Sequence, residues 1–403
     1  MANLLWGNVY YKNHFAGVLR EEPGNRSSFT YDDSYLGSDQ PAIAYSLPLQ
    51  RETFISQVGL PSFFDNLVAE GWLETAQTRL LGRRMASRFE LLLAFGEDCA
   101  GAVSVIDPEP RKLSQQLLNM EDPVEVALLA SRSSLSGIQP KLALIESDGK
   151  LYPTTSGKIS THIGKLPSQH HDNLVANEYL TTLAFKALLP DDEVVEMDIG
   201  KVEGISKPAL IIKRFDRTAN VGRLHFEEFT QLLDLPSHAK YDGAHKDMAN
   251  FILKTKGCIP IEIYRLFQRI LAGFLLGNTD MHLKNFAMFH HDSGFRLTPA
   301  YDEISSAIYQ YKTVALAIGG SKDLLLGQLK PKNIIKLAEE FYLQKTATLM
   351  AVEKLQRNLE DAKHAILKAP IGSPLLKKKL VTMMEKRWNG TFALIGQDLS
   401  KKP

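Results

Sequence analysis

The stretch Gly277-Asn278-Thr279-Asp280-Met281-His282-Leu283-Lys284-Asn285-Phe286 decides how the rest of the chain reads. An apolar run, Leu266–Leu276, precedes it with helical spacing and only Gln268 and Arg269 as strong polar breaks. Gly277-Asn278 then predicts a helix end. Polar and charged side chains crowd the positions that follow, Asp280, His282, Lys284 and Asn285 among them. Such a loop at a helix end is costly to hold unless its charges meet something. Beyond it come an apolar segment and a turn predicted at Asp292-Ser293-Gly294. Asp302 follows, in Thr298-Pro299-Ala300-Tyr301-Asp302-Glu303, seventeen residues after Asn285.

An Asp, an Asn five residues on and a second Asp after a hairpin is the order protein kinases use. Phosphoryl transfer needs a carboxylate to orient the attacking hydroxyl and take its proton, the role this order gives Asp280. It also needs Mg²⁺, which takes hard oxygen ligands, and an amide oxygen (Asn285) with a carboxylate (Asp302) suits it. Against this stands a plain alternative: Asp, Asn and Gly are common turn residues, and the Asp-to-Asn spacing alone recurs by chance.

The chain has 403 residues, enough for two or three domains. Apolar content of 44% with 23% charged residues predicts a globular protein with a large core, and a net charge of +1 gives no global field toward nucleic acid or membrane. Cys99 and Cys258 form neither a disulfide framework nor a zinc pattern, which fits a reducing compartment. No basic-then-apolar leader opens the sequence, and no apolar stretch approaches the ~18 residues that span a bilayer. The expectation is a cytoplasmic bacterial protein without a membrane segment; secretion into a host as an effector stays open.

In chain order, residues 1–108 predict an α/β subdomain. Val9–Tyr11 and Phe15–Leu19 read as a hairpin around Lys12-Asn13-His14, and Ala42–Leu49 as a strand ending at a proline. Phe63–Val68, Glu74–Leu81 and Arg88–Phe95 read as helices, the last closed by Gly96, and Ala102–Ile106 as a strand. Asp65, Glu97 and Asp98 are its notable acids, expected in solvated loops. Prolines and charge at Pro108-Glu109-Pro110 suggest a linker.

Residues 109–220 predict a β-rich lobe. Ser131–Lys141 is a hydroxyl-rich loop before strand Leu142–Ile145, suited to bringing backbone N–H groups near phosphates, but with one glycine it is no Walker A loop. Its serines read as exposed phosphoacceptors beside Arg132. Thr161–Pro167 reads as a strand carrying Lys165, and Glu178 opens a helix running to Leu188. Strand Lys with helix Glu is the ion pair that holds ATP phosphates in kinases; the alternative is a lysine that snorkels to water. Val194–Ile199 and Ala209–Arg217 read as further strands, the second ending in charge where an adenine hinge would fall. From 221 to 403 helices dominate: Phe226–Leu233, Met248–Leu253, Ile261–Leu276, Ile334–Leu343, Thr346–Ile366 and Leu375–Arg387. The predicted class is α+β, a protein-kinase-like two-lobed fold with an N-terminal α/β subdomain and a mostly helical C-terminal lobe.

Taken together, the motifs resemble the HipA-type serine/threonine kinases, toxins of bacterial toxin–antitoxin pairs. The likeness is carried by Ser134–Lys141, His162–Pro167, Asn177-Glu178-Tyr179, Arg214–Arg217, Gly277–Phe286 and Thr298–Ser305. Ser46–Leu49 and Phe63–Leu67 extend it to the first subdomain, so it covers nearly the whole chain. The resemblance implies an ATP- and Mg²⁺-dependent protein kinase with Asp280 as base and Asn285 and Asp302 on Mg²⁺. It puts Lys165 on the ATP phosphates, paired with Glu178, under the loop Leu135, Ser136, Gly137, Ile138, Gln139, Pro140 and Lys141. It puts Lys213 and Phe215 at an adenine hinge and His282 among the nucleotide-contacting residues. Ser134 stands where the family autophosphorylates, with Ser136 a second candidate; a phosphate there adds about −1.5 to −2 charge and would oppose ATP.

Two positions depart from the pattern: Lys213 stands in place of an acid and Pro140 in place of a glutamate. Some members phosphorylate an aminoacyl-tRNA synthetase. The usual partner is a small helix-turn-helix antitoxin that binds operator DNA, so DNA would be met only indirectly. Lys377–Lys379 with Lys386 and Arg387 could graze that DNA or be a solvated helix face. Two other function classes fit the same motifs: a kinase-like enzyme acting on a small molecule or lipid, and a catalytically silent co-repressor that senses ATP.

Overall fold

A computed structural model describes residues 4–110, 112–114, 124, 127–128, 133–135, 139–168, 171–220 and 222–400. The chain divides into two compact units, 1–168 with 196–238 and 169–195 with 239–403.

The first unit is built on two antiparallel sheets. Alternation drives the first: in β1 (Trp6–Tyr11), Gly7, Val9 and Tyr11 are buried and their neighbours are not. β1 pairs with β2 (His14–Glu22), β2 with β3 (Arg26–Tyr31), β3 with β4 (Phe54–Ser56), and β1 also with β5 (Val103–Ile106). The predicted hairpin turns at Lys12, held at φ 54°. Two helices cover this sheet, α1 (Gly71–Leu80) and α2 (Arg88–Phe95), the latter started by a Ser87–Glu90 capping box. The second sheet runs β7 (Lys150–Pro153), β6 (Lys141–Ser147), β8 (His162–Lys165), β10 (Ala209–Lys213), β9 (Met197–Gly200). Val9, Leu19, Phe29 and Phe64 share one buried core with Leu142, Leu144, Ala209 and Ile211.

Three expectations fail here for identifiable reasons. Ala42–Leu49 is not a strand: it folds into a tight turn, with Leu47 N–H on Ala44 O at 3.2 Å. Buried Tyr31 fixes that turn, its hydroxyl donating to Leu47 O at 2.6 Å and accepting from Ile43 N–H at 3.0 Å. Phe226–Leu233 is extended to Glu228, with one helical turn at Phe229–Leu232. The acids expected in water are largely inside: Asp65 is buried and paired with Arg88, and Asp98 is 2% exposed. Glu97 is half-buried and accepts from Ser156 Oγ at 3.1 Å and Gly157 N–H at 3.0 Å.

The second unit is mainly helical: α3 (Leu174–Leu188), α4 (His245–Lys254), α5 (Ile261–Leu276), α6 (Pro331–Glu340), α7 (Lys345–Arg357), α8 (Leu359–Lys368) and α9 (Pro374–Gly390). The single helix expected over 346–366 breaks at Asn358, whose Nδ2 donates to Leu188 O at 3.0 Å and so caps α3. α5 is the central rod. It ends as expected at Gly277, which adopts φ 83° as the left-handed cap. A hairpin follows, β11 (Ala287–His291) with β12 (Gly294–Leu297).

Asp192, just beyond α3, anchors α5 through Arg265 and Arg269 at 2.6 Å each. Burial opposes its charge, but the two guanidiniums win and hold its carboxyl down to about 2. A depressed carboxylate stabilises the fold above its unfolded pKa, and that contribution is lost as pH falls through the folded value. Asp192→Asn is therefore expected to cost on the order of 2 kcal/mol at pH 7 and almost nothing at pH 2. Thermal melts of both proteins across that window check it.

Candidate active site

The second unit brings the two signature loops together against α5. Both approaches depend on glycine. A Cβ on Gly273 would overlap Met281 Sδ, and one on Gly277 would sit 2.7 Å from Ser305 Oγ. The loops are stitched by hydrogen bonds: Asn278 Nδ2 to Glu303 Oε2 at 3.0 Å, Thr279 N–H to Ser306 Oγ at 2.7 Å, and Tyr301 O–H to Lys284 O at 2.7 Å. Arg269 Nη1 donates to Thr298 O at 2.8 Å and fixes the strand that delivers Asp302.

Within this frame Asp280 takes its backbone N–H to Asn278 Oδ1 at 3.0 Å, and its carboxylate accepts from Tyr241 O–H at 2.9 Å. Asn285 Nδ2 donates to Asp280 O at 2.7 Å, which commits the nitrogen end of the amide inward and fixes its oxygen as the other end. Asp302 holds φ 57°, a left-handed conformation that a non-glycine residue adopts only when its surroundings impose it. Burial pushes the Asp280 carboxyl above its ordinary range; the Asp302 charge adds to this, and Tyr241 and Lys240 oppose it. Glu303, behind them, is raised by burial to about 8. His282 is buried, stacked edge-on against Tyr241 at 5.0 Å.

The first unit carries most of the other expected residues. Lys165 is 6% exposed, so it does not snorkel to water. It stands directly across the ladder from Lys141, itself 5% exposed. Like charges opposed across a ladder are unfavourable without compensating negative charge. Gln139 Nε2 donates to Leu166 O at 2.8 Å, and Leu135 is buried. Lys213 points outward and pairs with Glu196 at 3.0 Å, while its N–H bonds Glu196 O at 2.9 Å. Phe215 is half-buried against Phe226, centroids 5.0 Å apart. Glu178, in α3 of the second unit, is 3% exposed. Ser136, Gly137, Ile138, Ser131 and Arg132 lie outside the described residues.

A family model for the HipA-like C-terminal domain matches residues 133–365, and one for the HipA N-terminal domain matches residues 7–106. The chain belongs to the HipA family. The serine/threonine-protein kinase toxin HipA of Shewanella oneidensis is 30% identical over 313 residues, 69% of this chain and 70% of that one. The solved complex of Shewanella oneidensis MR-1 HipA, HipB and operator DNA matches with a TM-score of 0.76 at 21% identity. The match covers 97% of this chain and 99% of that one. The α+β fold expected from the sequence is thus the HipA fold.

Several features of this chain escaped the sequence reading. Tyr241 and Lys240 flank Asp280 from a segment some forty residues upstream, with no local pattern to mark them. The charged run at the end of β10 is not solvent-facing: Arg214, Asp216 and Arg217 are buried with Asp98 and Arg223. Asp216 takes a bidentate pair from Arg214 at 2.9 and 2.7 Å and a third bond from Arg217 at 2.6 Å. Asp98 accepts from Arg217 Nη2 at 2.7 Å, Ser160 Oγ at 2.5 Å and Ser133 Oγ at 3.2 Å. Ser133 and Ser134 are accordingly buried rather than exposed phosphoacceptors. The run of charge was the available signal; that Asp98 would meet it was not legible.

The basic helix α9 is partly committed internally. Lys377 Nζ donates to Ala369 O at 2.5 Å and Lys379 Nζ to Ile308 O at 2.7 Å, while buried Arg387 donates to Leu326 O. Those three cations bond carbonyls, while Lys378, Lys379 and Lys386 are exposed on the helix face. Among the described residues no helix is long and apolar enough to cross a membrane.

Proposed function

We propose that this HipA-family chain is an ATP- and Mg²⁺-dependent protein serine/threonine kinase. The observation that supports the reading is that hydrogen bonds hold the loop bearing Asp280 and Asn285 to the segment bearing Asp302 at the end of α5, near enough for the Asp302 charge to act on the Asp280 carboxyl. The donor set fits Mg²⁺. The Asn285 amide is oriented with its nitrogen already engaged, and the Asp280 carboxyl, raised mainly by burial, is raised further by the Asp302 charge, a repulsion that a divalent cation would relieve. Asn285 and Asp302 would hold the ion, whose chemistry is to neutralise charge on the phosphates. Asp280 orients the acceptor hydroxyl and takes its proton. Lys165, with Lys141 opposite it, is assigned to the nucleotide phosphates, and Glu178 to pairing with Lys165. Leu135, Gln139, Lys213, Phe215 and His282 keep the nucleotide-contacting roles implied by the family.

Ser134 is the proposed self-phosphorylation site. At 3% exposure it cannot accept phosphate in place, so the segment must first leave its seat. Once modified, its added charge would have to return beside Ser133, which is bonded to Asp98, and this favours the displaced, inactive form. Mass spectrometry of the wild-type chain is expected to find phosphate on Ser134 or Ser136, and Ser134→Ala with Ser136→Ala to remove it. Full labelling of that double variant would move the site elsewhere.

The partner proposed is a helix-turn-helix antitoxin, on the ground that the related HipA is seen with HipB and operator DNA. The acceptor proposed is a protein. A phosphoproteomic comparison of cells expressing the wild type and Asp280→Asn tests the reading, and transfer of label only to small molecules would overturn the protein acceptor.

A further inference from the structure

We infer that Tyr241 is a positioning residue for the proposed base Asp280. The inference rests on the kinase reading above and deepens it. Tyr241 lies in the turn before α4, well separated in sequence from the catalytic loop, yet its hydroxyl donates to Asp280 Oδ1 at 2.9 Å. The turn is tied to that loop a second time, through Leu283 N–H on Lys240 O at 3.2 Å. The ring is held on two sides: edge-on to His282 at 5.0 Å, and under Lys240 Nζ at 5.6 Å from its centroid. His282 in turn is locked into the loop by its N–H on Asp280 O at 2.9 Å.

The chemistry assigns the contact its use. A carboxylate that must take a proton has to present one oxygen to the acceptor hydroxyl at hydrogen-bond distance. A free Asp side chain rotates about its terminal bond over a broad well. A hydrogen bond to Oδ1 restricts that freedom and leaves Oδ2 as the oxygen available to the acceptor hydroxyl. The phenol is suited to the task because it is rigid, and 43% exposure leaves room beside it for an incoming chain. The hydroxyl bonds the proposed base Asp280 itself. It therefore acts on turnover rather than on ATP binding.

The test uses the full chain with radiolabelled ATP, Mg²⁺ and casein as a serine-bearing protein acceptor, following initial rates of γ-phosphate transfer to it against ATP concentration. Tyr241→Phe keeps the ring on His282 and removes only the hydroxyl. Losing a hydrogen bond to an ionised group is expected to lower kcat by roughly ten- to a hundredfold. KM for ATP and the melting temperature are expected to stay at wild-type values. Asp280→Asn is run beside it. Wild-type kcat in Tyr241→Phe, with turnover lost in Asp280→Asn, overturns the role of Tyr241 and leaves the kinase reading standing. A fall in kcat matched by a raised KM for ATP also overturns it, since that is general damage to the site. Full turnover in Asp280→Asn, or none in the wild type, sinks the kinase reading and the Tyr241 role together.

Discussion

Asp280→Asn is expected to reduce phosphate transfer by about 10²- to 10⁴-fold, the range for losing a positioned general base. The fold should survive, because the substitution keeps what the surroundings use. The amide oxygen can still accept from Tyr241, and the backbone bonds to Asn278 and Asn285 do not involve the side chain. Removing the charge also relieves a carboxyl that burial and Asp302 already disfavour, so the melting temperature should hold or rise slightly. This is the behaviour of a site that gives up stability for function. Incorporation of label into protein, read with circular dichroism and a melt, separates the two quantities. Transfer at the wild-type rate in a folded variant would remove Asp280 from the chemistry.

The second large effect concerns stability. Asp98→Ala is expected to cost on the order of 3–5 kcal/mol, because it leaves buried guanidinium charge uncompensated. In the native cluster three arginines face two aspartates, and Asp98 bonds or pairs with Arg214, Arg217 and Arg223. Burial works against the Asp98 charge, but those arginines outweigh it and hold its carboxyl well below the usual carboxylate range; Asp216 shifts the same way. The pH sign follows. Both carboxylates contribute fully above their unfolded pKa, and the contribution drains away as pH falls toward the folded values. Acid should therefore destabilise the wild type more steeply than Asp98→Ala. Paired denaturation curves at neutral and acidic pH test this, and equal acid sensitivity in the two proteins would show that the cluster is not where the stability lies. Since Asp98 also accepts from Ser133 and Ser160, the variant should loosen the seat of Ser134 as well.

Much was determined by the sequence alone because its causes are local. The end of α5 at Gly277 follows from a left-handed cap that glycine tolerates, and the turn at Lys12 and the hairpin around Gly294 from alternation interrupted by turn residues. The order Asp280, Asn285, Asp302 was readable because the spacing is short and the chemistry restricts the residue types. The tertiary structure alone decided which charges are buried. Asp98 reads as a loop acid until Arg214, Arg217 and Arg223 arrive from more than a hundred residues away. Tyr241 reads as a turn residue until the fold sets its hydroxyl on Asp280. Hydrogen bonding within a turn or a helix is settled among near neighbours, whereas the desolvation of a charge depends on everything packed around it, and no window of sequence contains that.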